Sequence, residues 1–151
     1  MMESWVYLFK TINILPFNFV KGRENNSVER WGIFHALADK VFDNPRLLHL
    51  LDIKIKQWLK KEKTEFIYSL AGYIWYLKDN YIKAEKYFLK ALCQCPYNLD
   101  NWLNLAFSLY HQGDRKHSLA KKILFRFDYC VNYFGKKKIT IKELTDFLKA
   151  L

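Results

Sequence analysis

The sequence predicts an all-α protein, an α-solenoid of antiparallel helix hairpins with a C-terminal capping helix. Three observations carry this expectation. Tyr68, Ala71, Gly72 and Trp75 form an aromatic, small and apolar pattern that returns 34 residues later as Trp102, Leu105, Ala106 and Leu109, and repetition at that period marks hairpins that stack on one another. Apolar residues make up 51% of the 151 residues, while Gly and Pro number only five and three, so periodic runs are long and turns are few. Towards the C-terminus, Thr140 and Glu143 have capping-box spacing ahead of an amphipathic run, the kind of helix that covers the last face of a repeat array.

Residues 1–26 read as an apolar N-terminal arm and linker. Trp5, Leu8, Phe9 and Ile12 have helical spacing, Pro16 interrupts, Phe17 and Phe19 alternate, and Lys21–Asn26 is polar. Such an arm is expected to be buried, either on the chain's own repeats or in a partner. Glu3 precedes the apolar stretch, Lys10 interrupts it and no small-residue cleavage site follows, so it does not read as a secretory signal. It is also too short and too polar to span a bilayer.

Residues 27–64 are expected to form a degenerate hairpin. Ser27 would cap a helix from Val28 to about Phe42, with Trp31, Phe34, Leu37, Ala38 and Val41 on its inner face. Pro45, at a first helical position, would open a second helix running to about Lys61 with Leu48, Leu51, Ile55, Trp58 and Leu59 inward. In residues 65–98, Thr64 caps a helix to Leu77, a turn follows at Lys78-Asp79-Asn80, and a helix from Tyr81 to Cys95 stops at Pro96. Residues 99–131 would hold a helix from Leu99 to Gln112, a turn at Gly113, and one helix from Arg115 to Val131. Residues 132–151 give a break at Gly135 to Lys138 and the capping helix, with Ile141, Leu144, Phe147 and Leu148 apolar.

Residues 65–98 resemble a tetratricopeptide repeat at eight positions: Tyr68, Ala71, Gly72, Trp75, Ala84, Phe88, Ala91 and Pro96. Gly72 and Ala84 are small where two helices would cross, and Ala91 is small where the next hairpin would dock. Residues 99–131 resemble a second, less regular copy. It keeps Ala106 and Ser118 but has Lys122, Phe125 and Cys130 where the family prefers large apolar, small and Pro. Residues 31–64 agree only at Phe34, Leu37, Ala38 and Val41. The resemblance implies a right-handed superhelix whose inner helices line a concave groove for a peptide or helix. Its groove positions would be Phe66, Ser69, Tyr73, Tyr76 and Leu77, then Asp100, Leu103, Asn104, Phe107, Tyr110 and His111. The family's chaperone-tail binders clamp a C-terminal carboxylate with Lys, Asn and Arg. Here only Asn104 matches a clamp residue, with Ser69 and Tyr73 in place of Lys and Asn, which disfavours that ligand.

The groove is aromatic instead, and aromatic rings are favoured anchors. The expected function is therefore a non-catalytic protein–protein interaction adaptor or scaffold subunit. It would take a peptide or helix of a protein partner, within a larger complex, through Phe66, Ser69, Tyr73, Tyr76, Leu103, Asn104, Phe107 and Tyr110. The alternative occupants of those rings are the N-terminal arm and the terminal helix.

The formal charge of +10 supports a rival class, a basic helical repeat that binds nucleic acid. The lysines are dispersed, however. The tightest groups, Lys60-Lys61-Glu62-Lys63, Lys121-Lys122 and Lys136-Lys137-Lys138, lie near expected helix ends, where they favour the helix dipole. A third reading, a HEPN-type ribonuclease, takes Arg30 and His35 as phosphate clamp and general acid or base. No other position agrees, and a solvated Arg with a surface His is the simpler account. His111 and His117 flank Gly113 without a third ligand, and Cys93 and Cys95 lack a second pair. No phosphate loop or nucleophile motif is present. The expectation is no enzyme activity, no cofactor and no metal, with the three cysteines reduced and buried in a soluble, cytoplasmic protein.

Overall fold

The computed structural model describes Phe9 and residues 26–151. The expected N-terminal arm and linker lie outside the described residues apart from Phe9 and Asn26. Residues 26–151 form eight α-helices and no strand: α1 (Ser27–Asp43), α2 (Arg46–Lys61), α3 (Glu65–Leu77), α4 (Tyr81–Gln94), α5 (Leu99–Tyr110), α6 (Asp114–Phe125), α7 (Phe127–Tyr133) and α8 (Ile141–Ala150). Among them no helix is long and apolar enough to cross a membrane.

Short polar side chains start most of the helices. Thr64 Oγ1 accepts from Ile67 N at 3.3 Å, Asn80 Oδ1 from Lys83 N at 3.2 Å, and Asn98 Oδ1 from Asp100 N at 3.0 Å. Thr140 and Glu143 exchange the two bonds of a capping box. At α1 the cap is Asn26 rather than the expected Ser27. The Asn26 carboxamide oxygen takes both Val28 N and Glu29 N, at 3.0 and 3.2 Å. Pro45 stands one position earlier than expected, at the N-cap of α2 with φ −59°. The turn before α6 is made by Gly113 at φ +100°, a region closed to residues with a Cβ.

Three helix ends depart from expectation. α4 stops one residue before Cys95 and α5 two before Gln112, ordinary fraying of terminal turns. The expected single helix over 115–131 is two, α6 and α7, hinged at Arg126 with φ −115° and ψ 35°. Backbone bonds Arg126 N to Lys122 O and Cys130 N to Arg126 O bracket the hinge, both at 3.0 Å. Beyond it, Cys130 and Val131 enter the core beside Leu144 and Phe147, while Phe125 stays in solvent. Burial of apolar surface outweighs an unbroken helix.

The most extensive packing is between α3 and α4, followed by α4 with α5 and α5 with α6. Small residues permit it: Ala71, Ala84, Ala91, Ala106 and Ala120 are buried. At Gly72 the backbone of α3 lies against the fully buried Phe88 of α4, so a Cβ there would sit 2.8 Å from the ring. Two core clusters result. One joins Phe9, α1, α2 and α3; the other joins α4 to α8, with Tyr73 touching both. Trp102 is buried in the second, and its Nε1 donates to Pro96 O at 2.7 Å.

The buried stripe of α1 is Arg30, Ile33, Phe34, Leu37 and Val41. Trp31, expected inside, is exposed, and Ala38 is half-buried. On α8, Leu144 and Phe147 are buried, but Ile141, of the same apolar set, is exposed. This helix lies against α4, and the strand of backbone before it is pinned by Ile139 N donating to Cys93 O at 2.9 Å.

Gly72→Ala is expected to destabilise the protein by about 1–3 kcal/mol through overpacking, although alanine is the better helix former by about 1 kcal/mol. Chemical denaturation checks this. An unchanged midpoint would show that α3 and α4 do not meet at Gly72.

Candidate partner-binding face

The side chains expected to line a groove lie on α3 and α5, and α1 covers part of them. Arg30 on α1 is fully buried and bidentate to Glu65 at the start of α3, with Nη1–Oε1 and Nη2–Oε2 both 2.6 Å. Asn101 Nδ2 on α5 donates to the same Oε1. The Arg30 guanidinium also sits 5.2 Å from the centre of the Phe66 ring. One carboxylate thus gathers three helices. The expectation of a solvated Arg30 is overturned.

Because of this lock, Phe66 and Ser69 are not on the surface. Phe66 is buried and stacked on Phe34 of α1 with centroids 6.1 Å apart. Ser69 is fully buried, and its Oγ finds no hydrogen-bond partner among the described residues. Tyr73, Tyr76, His111 and Tyr110 of the set join a continuous run of rings. Phe34 stacks on Tyr73 at 4.7 Å, Tyr73 on Tyr76 at 6.2 Å, and Tyr76 meets His111 edge-on at 5.7 Å. His111 stacks on Tyr81 at 4.8 Å, and Tyr110 on His117 at 4.3 Å. Tyr73 and Tyr76 are half-buried, as are Leu77, Leu103 and Asn104. Phe107 and Tyr110 are the open end, 39% and 48% exposed.

Burial shapes the ionisation of this face. The Tyr73 hydroxyl is pushed up to about 12, chiefly by desolvation and then by Tyr76 and Asp39. Tyr76 is raised as well, by desolvation and then Asp79. Desolvation also raises the Asp100 carboxyl, opposed by the Arg30 charge. A small cavity of about 30 Å³ lies between α1, α3 and α5, lined by Trp31, Phe34, His35, Tyr73, Asp100, Leu103 and Asn104. That is room for little more than water.

Sequence reasoning missed the part played by α1. Trp31 and His35, one turn apart, stack at 6.2 Å and line this cavity. Their i, i+4 spacing was the available signal, but it was hidden by assigning Trp31 to the interior. The ribonuclease pair is not assembled. Arg30 is held by Glu65, whereas the His35 side chain is 69% exposed and 4.0 Å from Asp39. Five residues of helix turn the two about 140° apart. Cys130 is buried as expected, while Cys93 and Cys95 are half-buried, Cys95 Sγ donating to Tyr97 Oη at 3.6 Å. Among the described residues no group of three His, Cys, Asp or Glu is placed to hold a metal ion. Comparison of the chain with protein-family models, with curated proteins and with solved structures finds no match in any of the three.

Removing one partner of the buried lock leaves the other charge stranded. Glu65→Ala or Arg30→Ala is expected to cost about 3–5 kcal/mol, whereas Arg30→Met combined with Glu65→Leu recovers most of that loss. A double-mutant cycle by urea denaturation measures it, and additive losses would mean that the two charges are uncoupled.

Proposed function

We propose that the chain is a non-catalytic interaction adaptor of the cytoplasm, a tetratricopeptide-like array that binds a peptide or helix of a protein partner within a larger complex. Three features support the repeat reading. Gly72 lies against Phe88 where the resemblance calls for a close helix crossing. Small residues are buried on successive helices, and α3 to α6 pack each on the next. The binding reading rests on one observation. The run of rings from Phe34 through Tyr73, Tyr76 and His111 ends in Tyr110 at the surface, and Phe107, one turn earlier on α5, is exposed beside it in sequence, large apolar area held at low rotamer cost.

The partner contacts fall on α5 and its neighbours. Phe107 and Tyr110 are the anchors, Leu103 and Asn104 their inner border, and Tyr73 and Tyr76 the support that keeps the surface rigid. Phe66 and Ser69 act in the interior. On this reading α1 fills the half of the groove nearest Glu65 and leaves the Phe107 half for the partner.

Crosslinking in the native organism followed by mass spectrometry of the captured material tests the class. Phe107→Ala and Tyr110→Ala should each weaken capture of a specific protein by about 1–2 kcal/mol or more without lowering the melting temperature, while Tyr73→Ala lowers it. Recovery of nucleic acid alone, with a steep loss on adding salt, would replace the adaptor with the basic-repeat reading.

A further inference from the structure

A second surface lies on the far side of α4 and does not involve the aromatic face. The inward residues of α4 are Ala84, Phe88, Ala91 and Leu92. Its other flank also carries apolar residues: Ile82, Leu89 and Cys93 are seven and four positions apart, which places them on one line of a helix. Ile82 is 72% exposed. Ile141 at the start of α8 faces the same space, and Tyr68 of α3 closes it, giving an open groove of about 710 Å³. Ile82 and Ile141 thus stand in water on opposite sides of one trough. Apolar side chains gathered in a concave groove suit the apolar side chains of a partner.

The rim gives the groove a sign. Lys83, Lys86 and Lys90 follow one another at helical spacing along its edge. Two of them lie over rings: Lys83 Nζ is 4.2 Å from the Trp75 ring centre, and Lys90 Nζ 5.4 Å from that of Tyr87 and 5.8 Å from that of Tyr68. Desolvation, and then the neighbouring Lys86 and Lys63, lowers the Lys90 ammonium. The acid among the lining residues, Glu85, is already engaged by Gln112 Nε2 at 2.8 Å and Lys116 Nζ at 3.5 Å. Among the described residues the lining thus carries three lysines and one acid already paired elsewhere, with Glu143 of α8 acting on Cys93 at the far end.

We propose that the groove between α4 and α8 docks an amphipathic helix of a protein partner, apolar on one face and acidic along its flank. From Ile82 to Cys93 the trough runs for about 17 Å, the length of three helical turns. A channel between two helices accepts the ridge of a third, through anchors spaced i, i+3, i+4 and i+7. Its concavity argues against a flat lipid surface, and the apolar floor against a nucleic-acid backbone.

The test uses the full chain and two synthetic helical peptides of about 18 residues, with the same leucine stripe and either glutamates or lysines on the flanks. Fluorescence anisotropy should show the acidic peptide binding at least about tenfold more tightly, with the preference shrinking as salt rises. Lys83→Glu, Lys86→Glu and Lys90→Glu together should invert the preference, and the three Lys→Gln changes should erase it. Ile82→Asp and Ile141→Asp should each weaken the acidic peptide by about tenfold or more with an unchanged melt, since both side chains are already exposed. Phe107→Ala should leave this binding intact, which separates it from the aromatic face. No binding, equal binding of the two peptides, or binding that survives the triple reversal would overturn the proposal. So would anionic phosphatidylserine vesicles, a single-stranded RNA or a second copy of the chain engaging this surface, with sensitivity to Ile82→Asp, in place of the peptide.

Discussion

The placement of α1 depends on one buried ion pair. Arg30 and Glu65 lie together at the meeting point of α1, α3 and α5, with Asn101 completing the carboxylate's shell. Bringing two charges out of water costs several kcal/mol for each, so the pair is weak as a source of net stability. Its effect is selective. A packing of α1 that leaves Arg30 buried without Glu65 is strongly disfavoured, and the apolar stripe Ile33, Phe34 and Leu37 is thereby set against α3 in one register. A purely apolar helix would have several ways to lie there.

This register decides which part of the aromatic face meets solvent. Phe34 stacks on both Phe66 and Tyr73, so the Glu65 end of the face becomes core. Rings at the other end lack a cover from α1, and Phe107 and Tyr110 stay open. The stacked rings between the two ends restrict one another and, through His111 and His117, hold Tyr110. A second ion pair helps to fix the opposite side of the first cluster: Asp52 of α2 meets Lys56 at 3.1 Å and Lys78, after α3, at 3.5 Å.

Packing is divided along the chain in a related way. Gly72 brings the α3 backbone onto Phe88, and Tyr73 beside it touches both core clusters. Past that junction the interior is built from Trp102, Ile123, Cys130, Leu144 and Phe147. The hinge at Arg126 and the return of α8 to α4 are what bring the last three of these together. Their cost is apolar surface left outside, at Phe125, Ile82 and Ile141, and the first of these flanks the hinge itself.

Much of the helical organisation was written in local chemistry. Thr64, Asn80, Asn98 and the Thr140–Glu143 box start helices through side-chain oxygens that accept from nearby backbone N–H groups, Gly113 turns because it lacks a Cβ, and the spacing of small residues places the Gly72 crossing. These are interactions among near neighbours, so they were legible without tertiary structure. The same holds for the aromatic character of α3 and α5. Which residues of that face are surface was not legible, because it depends on Arg30 finding Glu65 thirty-five positions away and turning α1 so that Trp31 points out. The hinge at Arg126 and the exposure of Ile141 were also tertiary outcomes, in which burial of distant side chains overrode the local helical pattern. Periodicity shows that a stripe is apolar; only the packing partners decide whether it becomes core or an open surface.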